Sequence, residues 1–294
     1  MRECIGKRHL SVLKDIMFQN SKKNRSMKRL IFSIIIAMAF AIGASAQCEQ
    51  KITAFQSGES LSYNLYYNWK FVWVKAGSAS MSVYKSYFKG KEAYRGSLIT
   101  RGNDKVDKMF VLRDTLLSYC NLDMVPLYYR KGANEGKRYT VDEVWYTYGG
   151  GQTKLRQHRQ HKDGTHGWKN ATRKDCVYDM LSIFLRARNF DATNWTKGHE
   201  VKLPLADGNS VETAILRYRG KSTVKADNGK KYRCLELSYM ELEKGKYKEV
   251  VRFYVTDDKN HVPVRLDMFL RFGSAKAYLT SMHGVRNPVT CIEQ

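Results

Sequence analysis

Three histidines give residues 154–174, KLRQHRQHKDGTHGWKNATRK, the densest concentration of groups that could do chemistry. His158, His161 and His166 are separated by three and five residues. A metal site would require histidines two residues apart on a strand or four residues apart on a helix, with carboxylates or cysteines nearby. The spacing therefore predicts no metal site.

The same segment is strongly basic. Lys154, Arg156 and Arg159 fall on a predicted strand at 152–161. Clustered cations of this kind are either a solvated surface or a face that binds anions. Both alternatives stay open at the level of sequence.

Aromatic side chains form a second candidate site, on the predicted strand 61–69 (LSYNLYYNW). Tyr63, Tyr67 and Trp69 alternate with other residues and therefore share one face of that strand. Such a stripe either lines a ligand pocket or belongs to the core.

Three arginines near the C-terminus, Arg252, Arg265 and Arg271, also lie on predicted strands. If they face inward, they provide a lumen suited to phosphate or carboxylate groups, because the guanidinium fork pairs bidentately with such groups. If they face outward, they are ordinary surface residues.

No catalytic motif accompanies these candidates. The sequence contains no G-x-S-x-G elbow, no H-E-x-x-H, no Walker loop and no G-x-G-x-x-G after a predicted strand. Carboxylate pairs for glycosidase chemistry cannot be recognised without geometry. We therefore predict no catalytic residue and no cofactor, and expect a non-enzymatic protein.

The elements that must position these residues are mainly strands. Period-two alternation predicts strands near 61–69, 77–85, 92–101, 113–119, 125–131, 138–148, 152–161, 199–205, 210–225, 230–241, 247–256, 261–271 and 274–282. Turn signals such as Asn228-Gly229 and Asp207-Gly208 separate them and favour antiparallel hairpins. The absence of strand–helix alternation argues against a parallel α/β sheet.

One helix interrupts this pattern, at about 176–188. Asp175 is its predicted N-cap, and apolar residues recur at helical spacing from Val177 to Leu185. We expect the helix to pack on the sheet. A sheet of a dozen strands must manage its edges by closing or curling. The fold class is therefore mainly β, a curled antiparallel β-barrel or half-barrel with one packed α-helix, formed by a single domain over 47–294.

The stretch FVWVKAGSASMSV, residues 71–83, changes character at Gly77. The apolar run Phe71–Val74 predicts a strand covered on both faces, whereas Ser78, Ser80 and Ser82 predict a strand with one face toward water. Gly77 between them indicates a bend or a close backbone approach.

An export signal precedes the folded part. Lys28-Arg29, the apolar run LIFSIIIAMAFAIG and Ala44-Ser45-Ala46 have the order of a signal peptide over 27–46, cleaved near Ala46. Residues 1–26 then read as a mis-annotated N-terminal extension. We predict a periplasmic location, or the periplasmic face of the envelope, with no membrane span in the mature chain.

The chain is basic, with a net charge of +23. In an exported protein this charge argues against nucleic acid and for anionic envelope surfaces such as lipid headgroups or acidic glycans, or for solubility alone.

The cysteines beyond Ala46 are odd in number and widely spaced: Cys48, Cys120, Cys176, Cys234 and Cys291. They form no CxxC motif. Cys48 and Cys291 lie near the two mature termini, which are often close together in compact domains, and we predict a disulfide between them. Cys176 and Cys234 are expected to be buried free thiols.

Several segments together resemble a known family. They are the AGSASMSV strand, FVLRDTLLSY from Phe110, MVPLYYRKGANEGKRY from Met124, the YDMLSIFLRAR helix, and VRFYVTDDKNHVPVRLDMFLRFGSAKAYLTS from Val251. The resemblance is to exported Bacteroidetes-type proteins of domain of unknown function 3108. It implies a curled β-barrel of a YmcC-like type, loosely similar to the lipoprotein-carrier half-barrels of the periplasm. It implies no catalytic residue.

Three functional hypotheses follow. The leading one is a non-enzymatic envelope protein that binds an amphipathic lipid, an anionic envelope glycan or an envelope protein partner. The alternatives are an envelope hydrolase or glycan-modifying enzyme, and a purely structural or assembly protein. A continuous apolar lumen favours the first, a cleft of converging titratable groups the second, and a barrel filled with side chains the third.

Overall fold

The computed structural model describes residues 48–69, 72–108, 110–243, 245–270 and 273–293. The predicted extension 1–26, the predicted signal peptide 27–46 and Arg271 lie outside the described residues. Within the described part, no helix has the length and apolar character needed to span a membrane.

Strands dominate the chain. They are β1 (Glu59–Trp69), β2 (Val72–Phe88), β3 (Lys91–Gly102), β4 (Leu112–Cys120), β5 (Pro126–Glu135), β6 (Arg138–Gly149), β7 (Gln152–Gln160), β8 (His166–Arg173), β9 (Glu200–Asp207), β10 (Ser210–Lys225), β11 (Lys231–Glu243), β12 (Lys246–Thr256), β13 (Pro263–Phe269), β14 (Ser274–His283) and β15 (Ile292–Glu293). The described helices are α1 (Asp104–Asp107) and α2 (Met180–Ala187).

All of these strands belong to one antiparallel sheet, which confirms the predicted fold class. Its order is β8-β7-β6-β5-β4-β3-β2-β1-β14-β13-β12-β11-β10-β9, and β15 pairs with β11. The sheet curls without closing through strand pairing. Gln157 Nε2 on β7 instead donates to the carbonyl oxygens of Gly208 and Ser210, 2.9 Å from each, and so ties β7 to the turn between β9 and β10.

The sequence did not predict β8. Its residues are mostly exposed, so it lacks the alternating apolar face on which the other strand predictions relied. It forms because the edge of β7 offers backbone partners in register, from Thr153 opposite Arg173 to Gln160 opposite His166.

The stretch around Gly77 is one continuous strand. A Cβ at Gly77 would lie 2.1 Å from the Arg101 carbonyl oxygen, so the close backbone approach is confirmed. Ser78 and Ser80 are exposed, as the alternation predicted. The expectation that the run before Gly77 is covered on both faces is wrong, because Val72, Trp73 and Val74 are 61%, 39% and 39% exposed.

Helix α2 begins later than predicted. Its N-cap is Asp179, whose Oδ1 accepts from the backbone N–H groups of Leu181 and Ser182, and not Asp175, which pairs with Arg173. The preceding Tyr178 is held in extended form, because its N–H donates to Pro204 O and its carbonyl accepts from Ala206 N. Backbone pairing with β9 therefore overrides helical propensity there.

The buried face of α2 packs on the concave side of the sheet. Leu181 and Leu185 contact Gly96 on β3, where an added Cβ would lie 3.1 Å from Leu185 Cδ1. The absence of a side chain at Gly96 lets the helix approach closely. Helix and sheet thus enclose the space described below.

The disulfide joins Cys48 to Cys176, with their Cα atoms 5.4 Å apart, so the predicted Cys48–Cys291 bridge is wrong. The N-terminal segment runs toward the β4–β5 turn, where Gln50 N donates to Asp123 O. Cys291 instead lies beside β11 and donates its buried thiol to Asp258 Oδ2. Cys176 is therefore not free, whereas Cys234 is free and buried as predicted.

Candidate functional site

An apolar cavity of about 320 Å³ lies between α2 and the concave face of the sheet. Its walls come from both halves of the sheet and from the helix, for example Met81, Leu98, Leu216, Leu237 and Phe253. Strand alternation explains the lining, because each strand directs every second side chain into the curl. A cavity of this size falls within the usual range for small-molecule sites.

A buried ion pair closes one end of the cavity. Arg188, just after α2, donates from Nη2 to Glu59 Oε2 at 2.9 Å, and both side chains are 1% exposed. The Arg188 guanidinium also donates to the Asn260 carbonyl oxygen at 2.9 Å. These bonds satisfy charges that would otherwise be costly to bury.

The cavity lining becomes more exposed toward the opposite end. The lining residues nearest the β1–β2, β11–β12 and β13–β14 turns are Thr100, Val250 and Met268, which are half-buried, and Glu241, which is exposed. We call this more exposed end the mouth.

Two tyrosines supply hydroxyl groups to the wall. Tyr63 donates to the Pro263 carbonyl oxygen at 3.1 Å. Burial raises the pKa of Tyr63, an effect that the Arg188 charge partly opposes, so the phenol stays neutral. The hydroxyl of Tyr239, nearer the mouth, is buried beside the Glu241 carboxylate. Burial, and then the nearby Glu241 carboxylate, raise its pKa.

The predicted aromatic stripe is divided by the structure. Tyr63 is buried and lines the cavity. Tyr67 is half-buried beyond the lining, close to Gly273, where an added Cβ would lie 2.8 Å from the Tyr67 hydroxyl. Trp69 ends β1, and its side chain lies outside the described part of the chain.

The two described arginines of the predicted lumen face away from the cavity. Arg252 donates to both carboxylate oxygens of Glu249, 2.8 Å from each. Arg265 donates to both oxygens of Asp267, at 2.7 and 2.6 Å. Their neighbours Phe253 and Leu266 take the inward positions. The inward alternative for these arginines is therefore wrong, because alternation gives the interior to the apolar residues.

The predicted basic face is also divided. Lys154 and Arg156 are exposed on the outer face of β7, with the Arg156 guanidinium 4.4 Å from the centre of the Trp168 ring. Arg159 lies on the opposite face and donates to both oxygens of Asp142, at 2.6 and 3.0 Å. The prediction that all three bases share one face is therefore wrong. Anion binding by Lys154 and Arg156 stays a prediction.

A hydrogen-bonded chain on the outer face was missed by the sequence analysis. Tyr128 donates to Glu143, His158 Nδ1 lies 2.9 Å from the other Glu143 oxygen, and His158 Nε2 lies 2.8 Å from His166 Nδ1. Trp168 stacks on His158 at 4.4 Å. The feature that could have indicated these hydrogen bonds is the register between β6 and β7, which places Glu143 opposite His158.

These hydrogen-bonded side chains do not form a metal site. Both ring nitrogens of His158 already have partners, and the described residues contain no group of three His, Cys, Asp or Glu side chains with the geometry to hold a metal ion. Their hydrogen bonds instead connect four neighbouring strands, from β5 through β6 and β7 to β8.

A curled antiparallel sheet around an apolar cavity defines a β-barrel-like protein. The solved structure of a β-barrel-like protein of domain of unknown function DUF1849 from Brucella abortus is similar in fold, with a TM-score of 0.51 and 12% sequence identity. The similarity covers 80% of this chain and 100% of that one.

Sequence comparison then identifies the family. The model described as protein of unknown function (DUF3108) matches residues 62–280, so the chain belongs to that family. No curated protein is similar enough in sequence to count as a relative.

Proposed function

We propose that this protein is an exported, non-enzymatic envelope protein that binds a lipid-like ligand with a single apolar chain in the cavity between α2 and the sheet. The observation that carries the proposal is the cavity of about 320 Å³ with its almost wholly apolar wall. An apolar chain placed there would gain the free energy of removing its surface from water. A glycan would leave its hydroxyl groups without partners over most of that wall.

The polar groups of the cavity fit an amphipathic ligand. They lie at the two ends, with the satisfied Arg188–Glu59 pair at the closed end and Tyr239 with Glu241 near the mouth. Tyr239 and Glu241 together offer a hydroxyl and a carboxylate near the mouth. A polar head would contact these groups while the apolar tail fills the interior.

Export is supported by the sequence before Cys48 and by the disulfide. Disulfides persist in oxidising compartments and are rare in the cytosol. The Cys48–Cys176 bridge begins two residues after the predicted cleavage site at Ala46. A signal peptide and a disulfide point independently to the same compartment.

Ligand binding can be tested with cis-parinaric acid, a fluorescent fatty acid, titrated into the mature protein after delipidation. We expect saturable binding of one molecule per chain. Ala79→Phe, which fills the cavity, should weaken binding at least about tenfold, or about 1.4 kcal/mol.

The matched control is Ser80→Phe, the next residue on β2, which places the same side chain on the solvent face. It should bind like the wild type. No saturable binding by the wild type, or equal weakening in both variants, would contradict the proposal. If the wild type binds and only Ala79→Phe is weakened, native mass spectrometry of the protein purified from its own host would identify the natural ligand as a stoichiometric adduct.

A further inference from the structure

Three hairpin turns lie side by side at the mouth of the cavity. The β1–β2, β13–β14 and β11–β12 turns are neighbours because the sheet order places these pairs of strands next to one another. The pairings Tyr67 with Ala275 and Val251 with Met268 bring their ends level. The described strand ends that flank the three turns therefore form one continuous edge.

This edge exposes large apolar side chains. Val72 is 61% exposed, Leu242 52% and Leu270 48%. We call the full set the hairpin rim: Val72, Trp73, Val74, Leu242, Tyr247, Phe269 and Leu270. Single exposed apolar residues are ordinary, but a cluster that occupies three adjacent turns marks an interaction surface.

Lysines outnumber carboxylates around the hairpin rim, where Glu241 and Glu243 lie on either side of Leu242 and Glu243 pairs with Lys248 at 2.6 Å. Lys75, Lys246 and Lys276 flank the hairpin rim, and Lys276 Nζ lies 4.2 Å from the centre of the Trp73 ring. Exposed apolar side chains with an excess of lysines beside them are the chemistry that recognises the surface of an anionic lipid bilayer.

The hairpin rim and the cavity are continuous. Val250 and Met268 line the mouth, and the exposed Tyr247, Phe269 and Leu270 lie within a few residues of them along the chain. A molecule held in a bilayer against the rim would therefore face the mouth without crossing water.

We infer that the hairpin rim docks on an anionic lipid bilayer, so that the cavity exchanges its apolar ligand directly with the membrane. The inference rests on the proposed function for its ligand and names the source of that ligand. The exposed aromatic and aliphatic side chains enter the boundary between headgroups and acyl chains, and the surrounding lysines contact the lipid phosphates.

The test is flotation of the mature protein with vesicles of phosphatidylcholine alone or with about a third of phosphatidylglycerol. We expect the wild type to float with the anionic vesicles, at least about tenfold more than with the neutral ones, and to be released by about 0.5 M salt. The rim variant Val72→Ser/Leu242→Ser/Leu270→Ser should lose most of this binding.

A matched control carries the same number of substitutions at the opposite end of the barrel, Tyr87→Ser/Leu122→Ser/Ile292→Ser, where the side chains are 68%, 38% and 41% exposed. It should float like the wild type. Leu270→Trp adds an interfacial aromatic group and should increase flotation, a gain that misfolding does not predict.

Three results would overturn the inference: a wild type that does not float with anionic vesicles, a rim variant that floats as well as the wild type, and equal losses in the rim and control variants. The proposed function is tested separately, because the rim variant should still bind cis-parinaric acid in solution and Ala79→Phe should still float.

Discussion

The individual side chain with the largest expected effect on stability is Arg188. It was part of the predicted helix, but nothing in its local sequence indicated burial. In the structure its guanidinium is buried against Glu59, which is 129 residues away along the chain. Its contacts join the end of α2 to β1 and to the loop at Asn260.

Arg188→Ala should lower the free energy of unfolding by about 3 to 5 kcal/mol, because it leaves the Glu59 carboxylate buried and unpaired. Urea unfolding followed by circular dichroism measures the change. Arg173→Ala, which breaks the exposed pair with Asp175, is the control and should cost less than about 1 kcal/mol. Similar costs for both variants would show that the buried pair is not structurally important.

Asp179 is the second side chain with a specific expectation. Burial raises the pKa of this N-cap carboxyl to about 6, against the hydrogen bonds from Ser182, Ser118 and Leu181. Because the folded pKa is higher than the unfolded one, the folded state binds more protons between about pH 4 and 6. The contribution of the Asp179 carboxyl to stability is therefore greatest below its unfolded pKa and falls as pH rises through its folded pKa.

Asp179→Asn removes this titration and keeps an oxygen for the cap. Relative to wild type, the variant should become more stable as pH rises from about 4 to 7, by up to roughly 3 kcal/mol. Unfolding curves at several pH values measure the difference. Asp163→Asn is the control. Hydrogen bonds from Thr165 lower the pKa of Asp163, so the stability difference for this variant should change with pH in the opposite direction. A pH-independent difference for Asp179→Asn would contradict the argument.

Among the elements, α2 depends most on contacts outside itself. It has only eight residues, too few to be stable alone. It is held by the Asp179 cap, by packing of Leu181 and Leu185 on β3, and by the disulfide just before it. The disulfide also fixes the N-terminal segment, whose Thr53 and Ala54 N–H groups donate to Asn189 Oδ1 after the helix.

Removal of the disulfide by Cys48→Ser/Cys176→Ser should lower stability by about 2 to 5 kcal/mol, because the cross-link closes a long loop in the unfolded chain. Thermal unfolding with and without a reducing agent measures the effect. The reducing agent should destabilise the wild type and leave the variant unchanged. Non-reducing peptide mapping should recover Cys48 linked to Cys176, and recovery of Cys48 linked to Cys291 would show that the structure has the wrong pairing.

The molecule as a whole is a curled sheet whose ends are held together by side chains. Gln157 is fully buried and bonds the β9–β10 turn across the gap between the sheet ends. Arg159 lies beside the same turn, where it would clash with a Cβ at Gly208. These contacts maintain the curl that encloses the cavity.

Gln157→Leu should lower stability by about 1 to 3 kcal/mol, because it leaves buried carbonyl oxygens without donors. It should also speed amide hydrogen exchange in β8 and β9, the two edge strands. Exchange measured by mass spectrometry tests both expectations. Gln152→Leu, at the start of the same strand, is the control and should leave exchange unchanged. Unchanged exchange in Gln157→Leu would mean that the sheet holds its curl without this contact.

The strands and turns could be predicted because their signals are local. Alternation of apolar and polar residues and Asn-Gly or Asp-Gly turns act over a few residues, and they located most strands, the antiparallel order and the helix. The same local information led to errors where tertiary contacts compete. Tyr178 pairs with β9 and does not join the helix, and β8 forms on the edge of β7 without an apolar face.

The amino-acid sequence was sufficient for the fold class, the family resemblance and the inward position of Tyr63, since each follows from pattern along the chain. The cavity, the partner of Cys48, the outward direction of Arg252 and Arg265, and the exposure of Val72 to Val74 required the tertiary structure. They depend on which strands become neighbours and how strongly the sheet curls. Those relations join residues far apart in sequence, so no short segment contains them.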